Sequence, residues 1–301
     1  MKSIKSKNLK LKLFFITFFT FIISILTSIY TSNNKIQTTY LNLKNQNVVN
    51  SIKIVHISDL HLHYFGNNNE TLINKIKREN PDLIFITGDV CSFSDANLKI
   101  VEESGMQIYN QNIEYTISTL NQIHNIAPTF FSLGNHEHVL EKFDQSLNKF
   151  KQIAKNIGVS LLINEIYSTN INGTNVNILG TDNSYYQDIN INKLVLKLEK
   201  LDGLKVILDH YPFDFALNGK FSYINFNVDY VFSGHEHGGQ IRIPFIGAII
   251  SHEEGIFPTY AEGVHTQNNS TLIISRGLGN SSFPIRIFNR PELIIVNIVK
   301  K

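Results

Sequence analysis

Five short polar segments punctuate this chain, each at the end of an apolar run: Asp59-Leu60-His61, Gly88-Asp89, Gly134-Asn135-His136-Glu137, Asp209-His210 and Gly234-His235-Glu236-His237. The runs before them include Ile52 to Ile57, Asp82 to Thr87, Thr129 to Leu133, Val206 to Leu208 and Val228 to Phe232. They are short and rich in β-branched and aromatic residues, as strands buried on both faces are. In α/β sheets functional groups gather outside the carboxyl ends of the strands. The chain must therefore fold so that separate strand ends meet, because residues spread over some 180 positions cannot otherwise share one site.

Asp, Asn and His are the ligand types of a hydrolytic metal site, and two such ions make a clamp for an in-line displacement. Asp59 and His61 stand two residues apart, so an extended backbone projects both to one side, where they can chelate one ion. Gly88 permits a tight turn before Asp89, whose two carboxylate oxygens can bridge two ions.

Between the strands, Glu70 to Arg78, Ile113 to Ile126, Leu140 to Ile157 and Ile191 to Leu201 have helical spacing. Strand, helix, strand at the start of this region is a βαβ unit. Short β-rich runs near Ser160 to Ile163, Val176 to Leu179, Gln240 to Ile243, Thr271 to Ser275, Ile285 to Phe288 and Leu293 to Val299 fill the remainder. The expected fold is a four-layer αββα sandwich, two packed mixed sheets flanked by helices, over residues 51–301. No internal repeat is visible. At 301 residues the chain has room for one large α/β domain.

The N-terminus is a separate matter. Leu13 to Tyr30 holds no charge, Pro or Gly and is close to the length that spans a bilayer core. It is read as a transmembrane anchor (13–30) behind a basic tail (1–12). The Asn-, Ser- and Thr-rich stretch from Thr31 to Asn50 is read as a linker. A cleaved signal peptide is the rival, disfavoured by the length of the run and the lack of an A-x-A-like site. Five lysines precede the span and Lys35 alone follows closely, so the positive-inside rule puts the N-terminus in the cytoplasm and the domain outside, as a single-pass protein of the cell membrane. Taking those five positives from the net charge of +2 leaves −3, so the basicity belongs to the tail and gives no footprint for nucleic acid. Cys91, the sole cysteine, can form no internal disulfide, and redox compartment is left open.

Taken in order, the five segments resemble the pattern D-x-H, G-D, G-N-H-[DE], H, G-H-x-H of the calcineurin-like metallophosphoesterase superfamily, over roughly residues 51–299. The tracts His235 to Arg242, Ser275 to Asn280, Pro284 to Arg286 and Arg290 to Leu293, with Tyr260 to Gly263, are similar to a bacterial, often membrane-anchored subgroup of small phosphoesterases. The resemblance implies one metal held by Asp59, His61, Asp89 and His237, and a second held by Asp89, Asn135, His210 and His235. It implies that His136 is not a ligand but contacts the phosphate and protonates the leaving group. Arg276 and Arg286 are candidate contacts for a phosphate substituent, with loop bracing as the alternative.

Two departures stand out. Glu236 places a negative charge between two expected ligands and is expected to point away. Val90-Cys91-Ser92 follows Gly88-Asp89, so the Asp-Arg of the protein serine/threonine phosphatase branch is missing, and with it the acidic partner of His136; Glu137 and Asp95 are the substitutes. Cys91 is read as a small buried residue and His56 as structural. The expected activity is phosphoester hydrolysis, by in-line attack of a hydroxide bridging two divalent ions of Mn, Fe or Zn. The substrate expected from the anchor is a phosphodiester or pyrophosphate in a lipid or envelope precursor. The rivals are a phosphomonoesterase or nucleotide phosphodiesterase, and a non-enzymatic membrane-tethered metal-binding module.

Overall fold

A computed structural model of the chain describes residues 2–93, 107–142, 146–182, 189–216, 222–251, 253–280 and 285–301. A long helix, α1 (Lys2–Asn34), is followed after two residues by β1 (Gln37–Asn45). Then come β2 (Ile52–Ile57), α2 (Glu70–Glu79), β3 (Leu83–Thr87), α3 (Gln107–His124), β4 (Thr129–Ser132), the single-turn α4 (Asn135–His138), α5 (Ser146–Asn156) and β5 (Ser160–Leu162). The second half contains β6 (Glu165–Ile171), β7 (Thr174–Gly180), α6 (Ile189–Glu199), β8 (Leu204–Leu208) and β9 (Tyr230–Ser233). Two short hairpins follow, β10 (Arg242–Ile243) with β11 (Gly247–Ala248) and β12 (Ile250–Ser251) with β13 (Gly255–Ile256). The last strands are β14 (Gly263–Gln267), β15 (Ser270–Ile274) and β16 (Glu292–Lys300).

Two six-stranded mixed sheets result, ordered β1-β16-β2-β3-β4-β5 and β14-β15-β9-β8-β7-β6. In the first, β2 to β5 run parallel and β16 is antiparallel to β2. In the second, β7, β8, β9 and β15 run parallel, between antiparallel edge strands. Alternate residues of each strand then choose the layer. Ile52, Ile54, Leu83 and Phe85 of the first sheet meet Val206, Leu208, Tyr230 and Phe232 of the second. Their neighbours Val55, Ile57, Ile84 and Ile86 turn outward onto Leu72 and Ile76 of α2 and Leu120 and Ile123 of α3. On the far side, Ile207, Val231 and Ile274 pack against Val195 and Leu198 of α6. The architecture is the helix–sheet–sheet–helix sandwich expected from the alternation. Each fully buried aliphatic or Phe side chain in it stabilises the fold by about 1.5–3 kcal/mol relative to exposure.

The stretch read as a linker is not one. β1 pairs in parallel with β16 along its whole length, from Gln37 against Glu292 to Asn45 against Lys300. Leu41 and Leu43 pack on the inter-sheet core while the alternate residues stay polar, so an edge strand hides in a composition that looks like loop. The expected strand Ile285 to Phe288 is reduced to one bridge, Ile287 with Ile241. Helix α1 extends beyond the apolar run at both ends, and its last turns dock on the domain. Ser28 Oγ accepts the Phe288 N–H (2.6 Å) and Ser32 Oγ accepts the Asn289 N–H (3.1 Å). Asn33 donates to the Arg286 carbonyl (3.4 Å) and accepts from the Asn280 side chain (2.8 Å). Farther back, Phe14, Phe18, Phe21, Ile23 and Leu26 are exposed.

Candidate metal centre

The carboxyl ends of β2, β3 and β4 from one sheet and of β8 and β9 from the other deliver all five segments to one place. Asp89 is central. Its Oδ2 lies 3.6 Å from His61 Nε2 and 3.3 Å from His210 Nε2, on two sides. On the first side, His61 Nε2 is 3.2 Å from His237 Nε2, which is 3.5 Å from Asp59 Oδ1. On the second, His210 Nε2, Asn135 Oδ1 and His235 Nδ1 lie 3.1–3.2 Å from one another. Each set of converging acceptor atoms suits a cation, and together they supply the mixed N/O donors expected for Mn, Fe or Zn. His136 stands beside them, with Nε2 3.9 Å from Asp89 Oδ2 and its ring 4.7 Å from that of His61. It is thus also within reach of an ion held by His61 and Asp89.

The backbone is bent to bring these atoms together. Asp59, His61, Asp89, His235 and His237 have φ of 51°, 44°, 55°, 72° and 51°, a region that side chains other than Gly rarely adopt. The β3 and β4 loops touch so closely that a Cβ on Gly88 would lie 2.5 Å from the Gly134 Cα, and one on Gly134 would enter the Asp89 carboxylate. Glu137 fixes this junction. Its buried carboxylate accepts the N–H groups of Asp89 (2.7 Å), Val90 (2.9 Å), Cys91 (3.0 Å) and Gly134 (2.9 Å). Glu137 is therefore a backbone clamp and does not partner His136. Asp95, the other substitute, lies outside the described residues.

Electrostatics bear the mark of buried ligands. Burial, with Asp89 adding to it, pushes Asp59 up to about 6. Burial would also raise Asp89, but the rings of His210, His136 and His61 hold it well below the usual carboxylate range. Burial lowers His61 to about 3 and carries His237 well below the ordinary imidazole value. His210 is the exception: burial opposes its charge, yet Asp89 and Asp59 raise it to about 10. Its Nδ1 donates to the Thr87 carbonyl (2.7 Å), which aims Nε2 at the cluster. The outer nitrogen of His235 faces Glu236 Oε1 (3.9 Å) and Glu253 Oε1 (3.7 Å). Glu236 thus points away from the converging atoms, toward the back of a candidate ligand.

The two arginines are not arranged as substrate contacts. Arg286 is fully buried, and its guanidinium donates to the carbonyls of Arg276 (2.8 Å) and Gly279 (2.5 Å) and to Asn280 Oδ1 (3.0 Å). It also reaches His237 Nδ1 at 3.2 Å, so it braces a candidate ligand from behind. Arg276 is buried and ion-paired to Glu292 (3.0 Å) and Glu262 (3.5 Å). Of these supports only Glu137 and Glu236 adjoin a motif; Glu253 carried no signal, because its contact exists only after the hairpin folds back. Asp209 is likewise structural, accepting from Tyr223 (2.7 Å) and Thr181 (3.1 Å). Cys91 is buried, and burial and Glu137 raise its thiol well above its usual value, as suits a small core residue.

Comparison with known proteins decides the family: residues 52–239 match the model of the calcineurin-like phosphoesterases. The chain is a calcineurin-like phosphoesterase. Its relatives are phosphoesterases in name as well. It is 29% identical to the uncharacterized metallophosphoesterase YkoQ of Bacillus subtilis, over 80% of this chain and 82% of that one. It is 24% identical to the phosphodiesterase YaeI of Escherichia coli, over 82% of both chains. It is 27% identical to the UDP-2,3-diacylglucosamine pyrophosphatase LpxG of Chlamydia muridarum, over 82% of this chain and 84% of that one. Membership makes this phosphoesterase a metal-dependent hydrolase.

Proposed function

We propose that this phosphoesterase is anchored in a membrane by α1 and hydrolyses a phosphodiester or pyrophosphate bond in a lipid or envelope precursor. The observation that carries the hydrolytic part is the placement of Asp89 Oδ2 between two donor sets, 3.6 Å from His61 and 3.3 Å from His210. Asp59, His61, Asp89 and His237 would hold one divalent ion, and Asp89, Asn135, His210 and His235 the other. Two ions so held would supply a water activated for attack and would neutralise charge on the phosphoryl oxygens. The protein's own groups do the rest. Asp89 fixes the spacing of the two sites, and Glu137 fixes Asp89 through the backbone. His136, beside Asp89, binds a phosphoryl oxygen and gives its proton to the departing oxygen. The lipid-linked substrate draws support from the apolar helix and from the lipid-like substrate in the name of LpxG.

The test is metal content and turnover of the detergent-purified full chain on a diester, a monoester and a lipid-linked pyrophosphate. Two metal equivalents and a preference for the lipid-linked substrate or the diester are expected. Asp89→Asn is expected to lose more activity than His61→Ala or His210→Ala, because it weakens both sites. Full activity with two bound metals in Asp89→Asn would remove the dinuclear assignment, and a preference for the monoester would favour the phosphomonoesterase reading.

A further inference from the structure

The two hairpins that follow His237-Gly238-Gly239 are built for something other than water. Phe245 at the first tip is fully exposed, and Ile246, Ile250, Ile256 and Phe257 are exposed by half or more. From Gln240 to Phe257 the charged residues are Arg242 in the first hairpin and Glu253 and Glu254 at the turn of the second. The hairpins share Ile249, whose N–H bonds to the Ile241 carbonyl (3.4 Å) in the first and whose carbonyl accepts the Phe257 N–H (2.8 Å) in the second, so they form one continuous piece of structure. Phe245 and Phe257 also have φ of 70° and 53°, at turn positions where Gly or Asn is the ordinary solution. Bulky apolar side chains in a strained backbone, facing outward, are a double cost in a solvated loop. A contiguous exposed patch of this kind marks an interaction surface.

The patch lies beside α1. Ser24 and Thr27 of the helix and Phe245 and Ile246 of the hairpin line the same cavity of about 820 Å³. Ser24 is six residues before the end of the apolar run at Tyr30, about 9 Å along a helix axis. The cavity runs on along α1 past Ser28 to Thr31 and Ser32, so the hairpin tip lies beside both the last turns of the apolar segment and the polar turn after it. That stretch straddles the end of the apolar run, and amphipathic surface elements bury their apolar side about 5–10 Å into the headgroup and acyl boundary. Arg242, Arg276 and Arg290 line the same cavity; Arg242 is ion-paired to Glu262, and Arg276 to Glu262 and Glu292.

We propose that the hairpin pair is a second membrane contact: Phe245, Ile246, Ile256 and Phe257 rest in the phospholipid interface next to α1. The inference rests on the membrane-anchored reading above and sharpens it, because the hairpins begin at the metal centre and one of them carries Glu253 behind His235. The centre is then held at the bilayer surface, and the substrate class is a phosphate ester whose apolar part stays in the leaflet.

The chain has no tryptophan, so a single introduced one reports its surroundings alone. Phe245→Trp, Phe21→Trp on α1 and Tyr167→Trp on β6, at the opposite edge of the second sheet, would each be placed in the full chain. They would be reconstituted into phosphatidylcholine–phosphatidylglycerol vesicles with and without brominated acyl chains. Retained turnover on a soluble nitrophenyl ester shows that each variant is folded. Phe245→Trp is expected to emit to the blue and to lose roughly half its emission to lipids brominated near the headgroup, as a side chain at that boundary should. Tyr167→Trp should be unaffected. Quenching at Phe21→Trp without quenching at Phe245→Trp would overturn the proposal and leave the anchor standing. No quenching at either would overturn the anchored reading and this proposal together.

Discussion

His136 shows how much a few ångströms decide. With Nε2 3.9 Å from Asp89 Oδ2 it is near enough to reach an ion, and it is as buried as the candidate ligands His61 and His237. Assigned to leaving-group protonation, it makes a clear prediction: His136→Ala keeps both metals and loses roughly 10²–10⁴-fold in turnover on an ester with a poor leaving group. The loss shrinks for nitrophenolate, which needs little protonation. Metal analysis with paired substrates checks this, and loss of one metal equivalent would make His136 a ligand. His56, three residues before the site, titrates differently. Its ring lies between the sheets, with Nε2 2.8 Å from Thr87 Oγ1 and an edge-on contact with Phe232, and burial lowers it to about 3. The neutral ring's contribution is complete above the ordinary imidazole value and is lost as pH falls toward about 3, since the unfolded chain takes up a proton there and the folded one does not. The expected penalty is up to about 1.4 kcal/mol per pH unit. His56→Gln should flatten that slope in denaturant melts of the metal-free protein between pH 6 and about 4.

Among the elements, α1 is the one whose role changes most between sequence and structure. Its last turns meet the loop of Arg286 to Asn289, and that loop supports the centre: Asn289 donates to the His237 carbonyl (2.7 Å) and Arg286 touches His237 Nδ1. Ser32→Ala would leave the buried Asn289 N–H without its acceptor, at a cost of about 1–3 kcal/mol. We expect a lower melting temperature and weaker retention of metal in the site containing His237, read by thermal shift and by metal titration. An unchanged melting temperature would show that the docking carries no weight. The strands bearing ligands were legible because β2, β3, β4, β8 and β9 are apolar on both faces and stop at polar residues. β1, β6 and β14 were not, since each is an edge strand exposed to solvent along much of its length, and Gln37 to Asn45 reads as loop by composition. The ligand types were visible at fixed spacing. The guanidinium of Arg286 was visible too, but a motif carries no information on burial, and it proves to be a brace.

At the scale of the whole molecule, two sheets supply opposite halves of one centre, so neither half of the chain alone has a complete donor set. The anchored reading places the domain outside the cell. Protease added to intact cells should then remove it, whereas protection until lysis would reverse the topology and release of a soluble mature form would support a cleaved leader. The joint between α1 and β1 adds something that the anchor alone does not. Only Lys35 and Ile36 separate helix from strand, the Lys35 N–H still bonds back to the Thr31 carbonyl (2.9 Å), and Arg290 ties both of those residues' carbonyls to the domain. With α1 in a bilayer, the catalytic body has no leash. It cannot search the solution above the membrane, and its encounter rate follows the mole fraction of substrate in the leaflet: diluting that substrate with inert lipid slows it at constant bulk concentration, while diluting the vesicles with buffer does not.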